Sequence, residues 1–255
     1  INTSYWRLHI RRYANNRISV SSRISKNYKN SMKVLGLVVA RGGSKGLKNK
    51  NLRLINGKPL ISYAADALLN CKKIDTAICS TDSLDIANAA KKAGLSVPFL
   101  RPATLSQDNS LVIDAVKHAI EFLNSAYTHV ILLQASSPTV TAQDLDLALK
   151  TIQKTNSDTC ISAYELTETH PDYLFRINNT SSIDWLIKKG GSTNRQDFDR
   201  FYARTGLFYL ASVKTIFKEN SFYGKKISTV IVPKERAIII DNYEDLLKAR
   251  RYLKK

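Results

Sequence analysis

The chain has 255 residues, with 39 Lys and Arg against 21 Asp and Glu, giving a formal charge of +18. With 44% hydrophobic and 24% charged residues its composition is that of an ordinary folded protein, and a core of this size needs neither disulfides nor a structural metal. Three cysteines (Cys71, Cys79, Cys160) are an odd number without a Cys-x-x-Cys pair, which argues against a disulfide scaffold or zinc ribbon and for a reducing, cytoplasmic setting. The longest apolar run in the body, at residues 34–40, is far short of a membrane span.

Residues 1–31 carry seven Lys or Arg and no acidic residue, and the only methionine is Met32. The stretch is rich in Arg, Ser and Asn and lacks an apolar period. It reads as a basic extension outside the fold: translated upstream sequence, an organelle transit peptide or a nucleic-acid-binding arm. The folded unit is expected over residues 32–255.

From Met32 the pattern alternates. Residues 34–40 read as a buried strand, followed by a Gly/Lys loop at 41–50. Residues 59–69 read as a helix with Leu60, Ile61, Ala64, Ala65 and Leu68 on one face, and Pro59 suits its first turn. A short strand at 76–79 leads through Ser80-Thr81-Asp82 to a helix at 84–93, with Gly94 placed to end it. A short strand at 97–100, a helix at 111–123, a strand at 129–134 and a helix at 142–152 follow. Repeated strand–helix units predict an α/β fold with a mostly parallel sheet and helices on both faces. Ligands in such folds sit at the carboxyl ends of the strands, so the loops after Ala40, Cys79 and Leu133 should converge. The second half is less regular. Strands are expected at 157–164, 207–210, 228–232 and 238–240, and a closing helix at 243–253, while 165–196 is polar and turn-rich.

The loop after the first strand carries the chemistry. Arg41-Gly42-Gly43-Ser44-Lys45-Gly46-Leu47-Lys48-Asn49-Lys50-Asn51 holds three of the ten glycines within five residues. Glycines let backbone N–H groups wrap an anion, and Arg41, Lys45, Lys48 and Lys50 add positive charge. The segment is neither a Walker loop nor Gly-x-Gly-x-x-Gly. It reads as a polyphosphate cradle or, more plainly, a solvated basic loop.

These residues, with Asn56-Gly57-Lys58-Pro59-Leu60, resemble the opening motif of the acylneuraminate cytidylyltransferases, the CMP-sialic acid synthetases. Ser80-Thr81-Asp82, Leu100-Arg101-Pro102-Ala103 with Asp108, and Leu132-Leu133-Gln134-Ala135-Ser136-Ser137-Pro138 resemble further motifs in order. So do Arg195-Gln196-Asp197, Thr205-Gly206-Leu207-Phe208-Tyr209, and Asp241 followed by Glu244-Asp245-Leu246. The match runs from about Met32 to Leu253.

The resemblance implies a Rossmann-like nucleotidyltransferase fold with an irregular dimerisation insertion at 165–200 and a homodimer. It implies transfer of CMP from CTP to a nine-carbon sugar acid of the sialic, legionaminic or pseudaminic type. By resemblance, Arg41, Ser44 and Lys45 hold the triphosphate with Gly42 and Gly43. Lys50 neutralises charge growing at the α-phosphate, and Asn51 accompanies it. Arg101 and the backbone from Asp108 to Ser110 read the cytosine. Gln134 contacts the sugar acid, and Arg195 pairs with its carboxylate, for which a planar guanidinium is suited. Magnesium is the implied cofactor, with Asp241 as its ligand.

Two departures stand out. The family's Asp-Ile-Asp is here Ile239-Ile240-Asp241, so the first carboxylate is missing. Tyr173 stands where sialic-acid relatives can carry lysine. Asp82 reads either as a loop residue of the site or as the cap of the helix after it. His170 is read as structural, and no chemistry is assigned to His118, His129 or the cysteines. The alternatives are a nucleotidyltransferase for another sugar and a nucleotide-binding homologue with impaired metal catalysis. Charge alone suggests nucleic acid, but no recognition motif or stacking platform accompanies it, so neither nucleic acid nor a membrane is expected as partner.

Overall fold

The computed structural model describes residues 32–43, 46–168, 170–187 and 199–254. The basic extension at 1–31 therefore lies outside the described residues, as do Ser44, Lys45 and Arg195.

In chain order the strands are β1 (Val34–Val39), β2 (Leu54–Ile55), β3 (Lys58–Pro59), β4 (Thr76–Ser80), β5 (His129–Gln134), β6 (Thr159–Glu165), β7 (Phe175–Ile177), β8 (Ile183–Trp185), β9 (Tyr202–Ser212) and β10 (Ile227–Ile231). The α-helices are α1 (Leu60–Asn70), α2 (Leu84–Lys92), α3 (Val112–Leu123), α4 (Ala142–Thr155), α5 (Val213–Glu219) and α6 (Tyr243–Tyr252). Six strands form one sheet in the order β10-β6-β9-β5-β1-β4. All pairings in it are parallel except those of β9, which runs antiparallel between β5 and β6. The expected α/β class, with a mostly parallel sheet and helices on both faces, is what the chain adopts.

β1 shows why. Val34 and Val38 join one core cluster with Ile61, Leu68 and Leu145, whereas Leu35 and Leu37 join a second with Val116 and Ile120. A strand covered on both faces is apolar throughout, because successive side chains point to opposite sides. α1, α2 and α4 contribute to the first cluster, α3 and α5 to the second. α1 buries Leu60, Ile61, Ala64, Ala65 and Leu68, the face expected from the spacing. Gly94 follows the end of α2 at φ +91°, the left-handed conformation that favours glycine. A third cluster joins Ile55 and Leu60 to Ile240, Leu246 and Ala249. It docks the C-terminal segment beside the first loop.

Several expectations change. Pro59 is the N-cap of α1 and pairs with Leu54 across the β2–β3 hairpin, instead of occupying the first helical turn. Residues 97–100 form no strand; this stretch runs beside β4 through two single bridges, Ile78 to Ser96 and Thr81 to Leu100. Residues 238–240 also form no strand. Ile238 and Ile240 pack in the third cluster and Ile239 on the first, so the three isoleucines are spent on side-chain packing and not on a ladder. β9 is far longer than residues 207–210, and α5 was not foreseen.

Candidate active site

The parallel register sets the site. Val39 is paired with Ser80 on one side and Gln134 on the other, so the loops after β1, β4 and β5 leave the sheet together, as expected.

The first loop is fastened where it leaves β1. The Gly42 amide donates to Asp82 Oδ1 at 3.0 Å, and the buried Asn51 donates from Nδ2 to the Arg41 carbonyl at 3.0 Å. Asp82 is thus a loop staple; the cap of α2 is Ser83, whose hydroxyl accepts from the Ile86 amide. Arg41 reaches across to the loop between α2 and α3, with Nη1 2.9 Å from Asp108 Oδ1 and 3.3 Å from the Gln107 carbonyl. A small open cleft beside the first loop is lined by Arg41, Gly42, Asn51 and Ser83, among others.

Arg101 is only 4% exposed. Its Nε donates to Ser106 Oγ at 2.9 Å and its Nη1 to the Ser80 carbonyl at 3.2 Å, and Nη2 lies 3.7 Å from Asp82 Oδ1. Burial pushes its pKa down and the Asp82 carboxylate pulls it back. With Nη2 also donating to the Ala40 carbonyl at 3.5 Å, the guanidinium ties the ends of β1 and β4 to the loop at 103–110. That loop closes on itself: the Ser110 hydroxyl donates to the Thr104 carbonyl at 3.1 Å and accepts from the Gln107 amide at 3.0 Å. Gln134, half-buried at the end of β5, accepts from Ser136 Oγ at 3.3 Å.

The C-terminal segment crosses these strand ends. Thr139 Oγ1 donates to the Arg236 carbonyl at 2.6 Å, Arg236 pairs with Asp144, and the Ile240 amide donates to the Ser136 carbonyl at 2.9 Å. The segment delivers Asp241 to the first loop, where its Oδ1 is 2.9 Å from Lys50 Nζ. Three cations of the site, Arg41, Arg101 and Lys50, thus each face an aspartate: Asp108, Asp82 and Asp241.

A basic, glycine-rich loop at the end of the first strand, with a second loop bracing it, suits a polyphosphate. A resident metal suits it less. Among the described residues no group of three His, Cys, Asp or Glu is assembled, Asp82 and Asp241 are paired, and Asp245 accepts from the amides of Asp241 and Asn242. Among the described residues the donor set does not fit a cation held by the protein alone.

A family model described as "Cytidylyltransferase" matches residues 35–227. The chain belongs to the cytidylyltransferase family. It is 31% identical over 218 residues to a pseudaminic acid cytidylyltransferase of Campylobacter jejuni, covering 84% of this chain and 94% of that protein. It is 30% identical over 207 residues to a CMP-N,N'-diacetyllegionaminic acid synthase of Legionella pneumophila, covering 79% and 87%. Among solved structures, a CMP:2-keto-3-deoxy-manno-octonic acid synthetase complexed with CTP superposes with a TM-score of 0.66 at 16% identity, covering 87% of this chain and 98% of that one; this likeness bears on the fold. As a cytidylyltransferase, the chain is a nucleotidyl-transferring enzyme.

Of the residues picked from the sequence, the structure gathers Arg41, Gly42, Asn51, Arg101 and Asp108 at one strand edge, and Lys50 with Asp241 beside them. Asp82 was singled out without a settled role. Its signal, a carboxylate just past a strand end, could not identify the Gly42 amide as its partner. His170 is held in place by its surroundings: its Nδ1 accepts from the Asp172 amide, and its ring meets Phe201 edge-on at 4.8 Å.

Proposed function

We propose that this enzyme transfers CMP from CTP to the anomeric hydroxyl of a nine-carbon sugar acid. The hydroxyl oxygen attacks the α-phosphorus, the bond from that phosphorus to the bridging oxygen breaks, pyrophosphate leaves, and the hydroxyl proton passes to solvent. Catalysis of this kind rests on positioning and charge neutralisation. The observation that carries the reading is the stapled basic loop at the end of β1, in a chain whose relatives are named for pseudaminic and legionaminic acids.

In this reading the first loop takes the triphosphate, Lys50 faces the α-phosphate, and the cytosine lies against the loop from Arg101 to Ser110. Gln134 faces the sugar acid, and Arg195 supplies the guanidinium for its carboxylate. Magnesium belongs to the reading as the companion of the triphosphate. A homodimer also belongs to it. The β7–β8 hairpin exposes Phe175, Ile177, Ile183 and Trp185, an apolar surface of the kind that marks protein contacts. No helix among the described residues is long and apolar enough to cross a membrane. A cytoplasmic reaction is part of the same reading, from the unpaired cysteines.

The test is pyrophosphate release with CTP, magnesium and a panel of sialic, legionaminic and pseudaminic acids, with UTP and ATP as controls. Release with CTP and at least one acid is expected. Release with none, or equal rates with UTP or ATP, defeats the reading. CTP binding without release would favour a non-catalytic homologue, the reading that Ile239 supports.

A further inference from the structure

We propose that Asp241 is a positioning residue for Lys50 and the phosphate loop, and that this enzyme holds its divalent cation through the triphosphate instead of in a resident carboxylate site. This rests on the cytidylyl-transfer reading and refines it.

Asp241 is fixed on several sides. Its amide donates to Asp245 Oδ2 at 3.1 Å, and Asp245 in turn completes the capping box of α6 with Asn242. A β-carbon at Gly46 would lie 2.5 Å from the Asp241 carbonyl oxygen, so the phosphate loop rests on its backbone. The preceding amide, on Ile240, is bound to the loop after β5. The side chain then points at Lys50, Oδ1 to Nζ 2.9 Å, with Lys50 18% and Asp241 73% exposed. The result is a strut from the start of α6 to the lysine.

The segment has no second carboxylate to share a cation. Two residues back, Ile239 packs on the main core cluster, its Cδ1 3.8 Å from where a β-carbon on Gly206 would stand. Asp245 is occupied by the two amides. A dication set on Asp241 would also sit beside the Lys50 ammonium and be repelled. Magnesium keeps several waters and leans on substrate phosphates with at most one or two carboxylates, not on a dedicated all-protein cage. A triphosphate supplies those phosphates. A lysine on a flexible four-carbon stem, by contrast, gains from a carboxylate that holds it at the loop before the nucleotide arrives.

Three measurements decide this. The first is thermal unfolding of the wild type with magnesium alone at matched ionic strength, and with magnesium plus CTP. A ligand that binds only the folded state raises its stability, so a shift is expected with CTP present and none with magnesium alone. The second is half-saturating magnesium for turnover: Asp241→Asn should stay within threefold of wild type while kcat falls about tenfold. The third is a double-mutant cycle with Lys50→Ala, in which Asp241→Asn should add no further loss, because its effect runs through the lysine. A shift with magnesium alone, a rise beyond threefold, or a loss that persists without Lys50 would each overturn the proposal. If the wild type releases pyrophosphate from CTP with none of the sugar acids, the functional reading fails, yet the melting curves still judge where the cation binds.

Discussion

The loop after β1 and the segment entering α6 touch backbone to backbone: a β-carbon on Gly46 would stand 2.5 Å from the Asp241 carbonyl oxygen. No flexible side chain is there to yield. Gly46→Ala should therefore push the loop away from Asp241, at a cost of about 1–3 kcal/mol for overpacking. The expected result is a lower melting temperature and at least a tenfold loss in kcat/KM for CTP, with the fold kept by circular dichroism. Wild-type kinetics in this variant would show that the loop does not need the contact.

Arg101 ties two strand ends to the loop at 103–110 through a buried guanidinium. Removing one member of a buried pair leaves its partners unmatched and costs about 3–5 kcal/mol. Urea unfolding of Arg101→Met should show a loss near the lower end of that range, because Asp82 keeps some contact with water. Arg101→Lys should recover little, since a single ammonium cannot serve divergent acceptors as a planar fork does. A variant as stable as the wild type would mean that the guanidinium bonds contribute nothing net.

Ile239 lies two residues before Asp241, which on a strand would place both side chains on one face. The segment is not a strand, and Ile239 packs on the core. Ile239→Asp should therefore lower stability by roughly 1 kcal/mol, because a carboxylate replaces a half-buried apolar side chain packed on the core, without reducing the magnesium needed for half-maximal rate. Denaturant titration and magnesium titration of one preparation check both halves. Undiminished stability with a lower magnesium requirement would mean that the new carboxylate reaches the cation.

Acid should weaken the fold through His129, at the start of β5. Burial pushes its pKa down to about 4, against about 6.5 in an unfolded chain. Between those values the unfolded state binds the extra proton, so this contribution is complete above pH 6.5 and is lost as the pH falls toward 4. The swing is roughly 3 kcal/mol. Urea midpoints of wild type and His129→Gln across pH 4 to 7 should converge at the acid end. Parallel curves would mean that the imidazole titrates normally.

Much of this protein could be read locally. The doubly apolar run of β1, the glycine-dense loop after it, the buried face of α1 and the glycine after α2 depend on neighbours within a few residues, and each stands where its pattern put it. The ordered motifs also led to the family, because a cytidylyltransferase loop is written in contiguous residues. What could not be read locally depends on which distant segments meet. β9 enters antiparallel between β5 and β6, with a register shift near Ala163 and a positive φ at Gly206, and alternation in one strand says nothing about the direction of its partner. The surroundings of Arg101 could not be read locally either: the carbonyls of Ala40 and Ser80, at two strand ends, face its buried guanidinium. Lys50 and Asp241 are 191 positions apart. Their pairing exists only because the third core cluster docks α6 against β2 and α1, and the loop after β5 holds the segment that leads there. Local spacing determines which chemical groups a loop can offer; the closure of the sheet and the docking of the C-terminal helix decide which charge each of them faces.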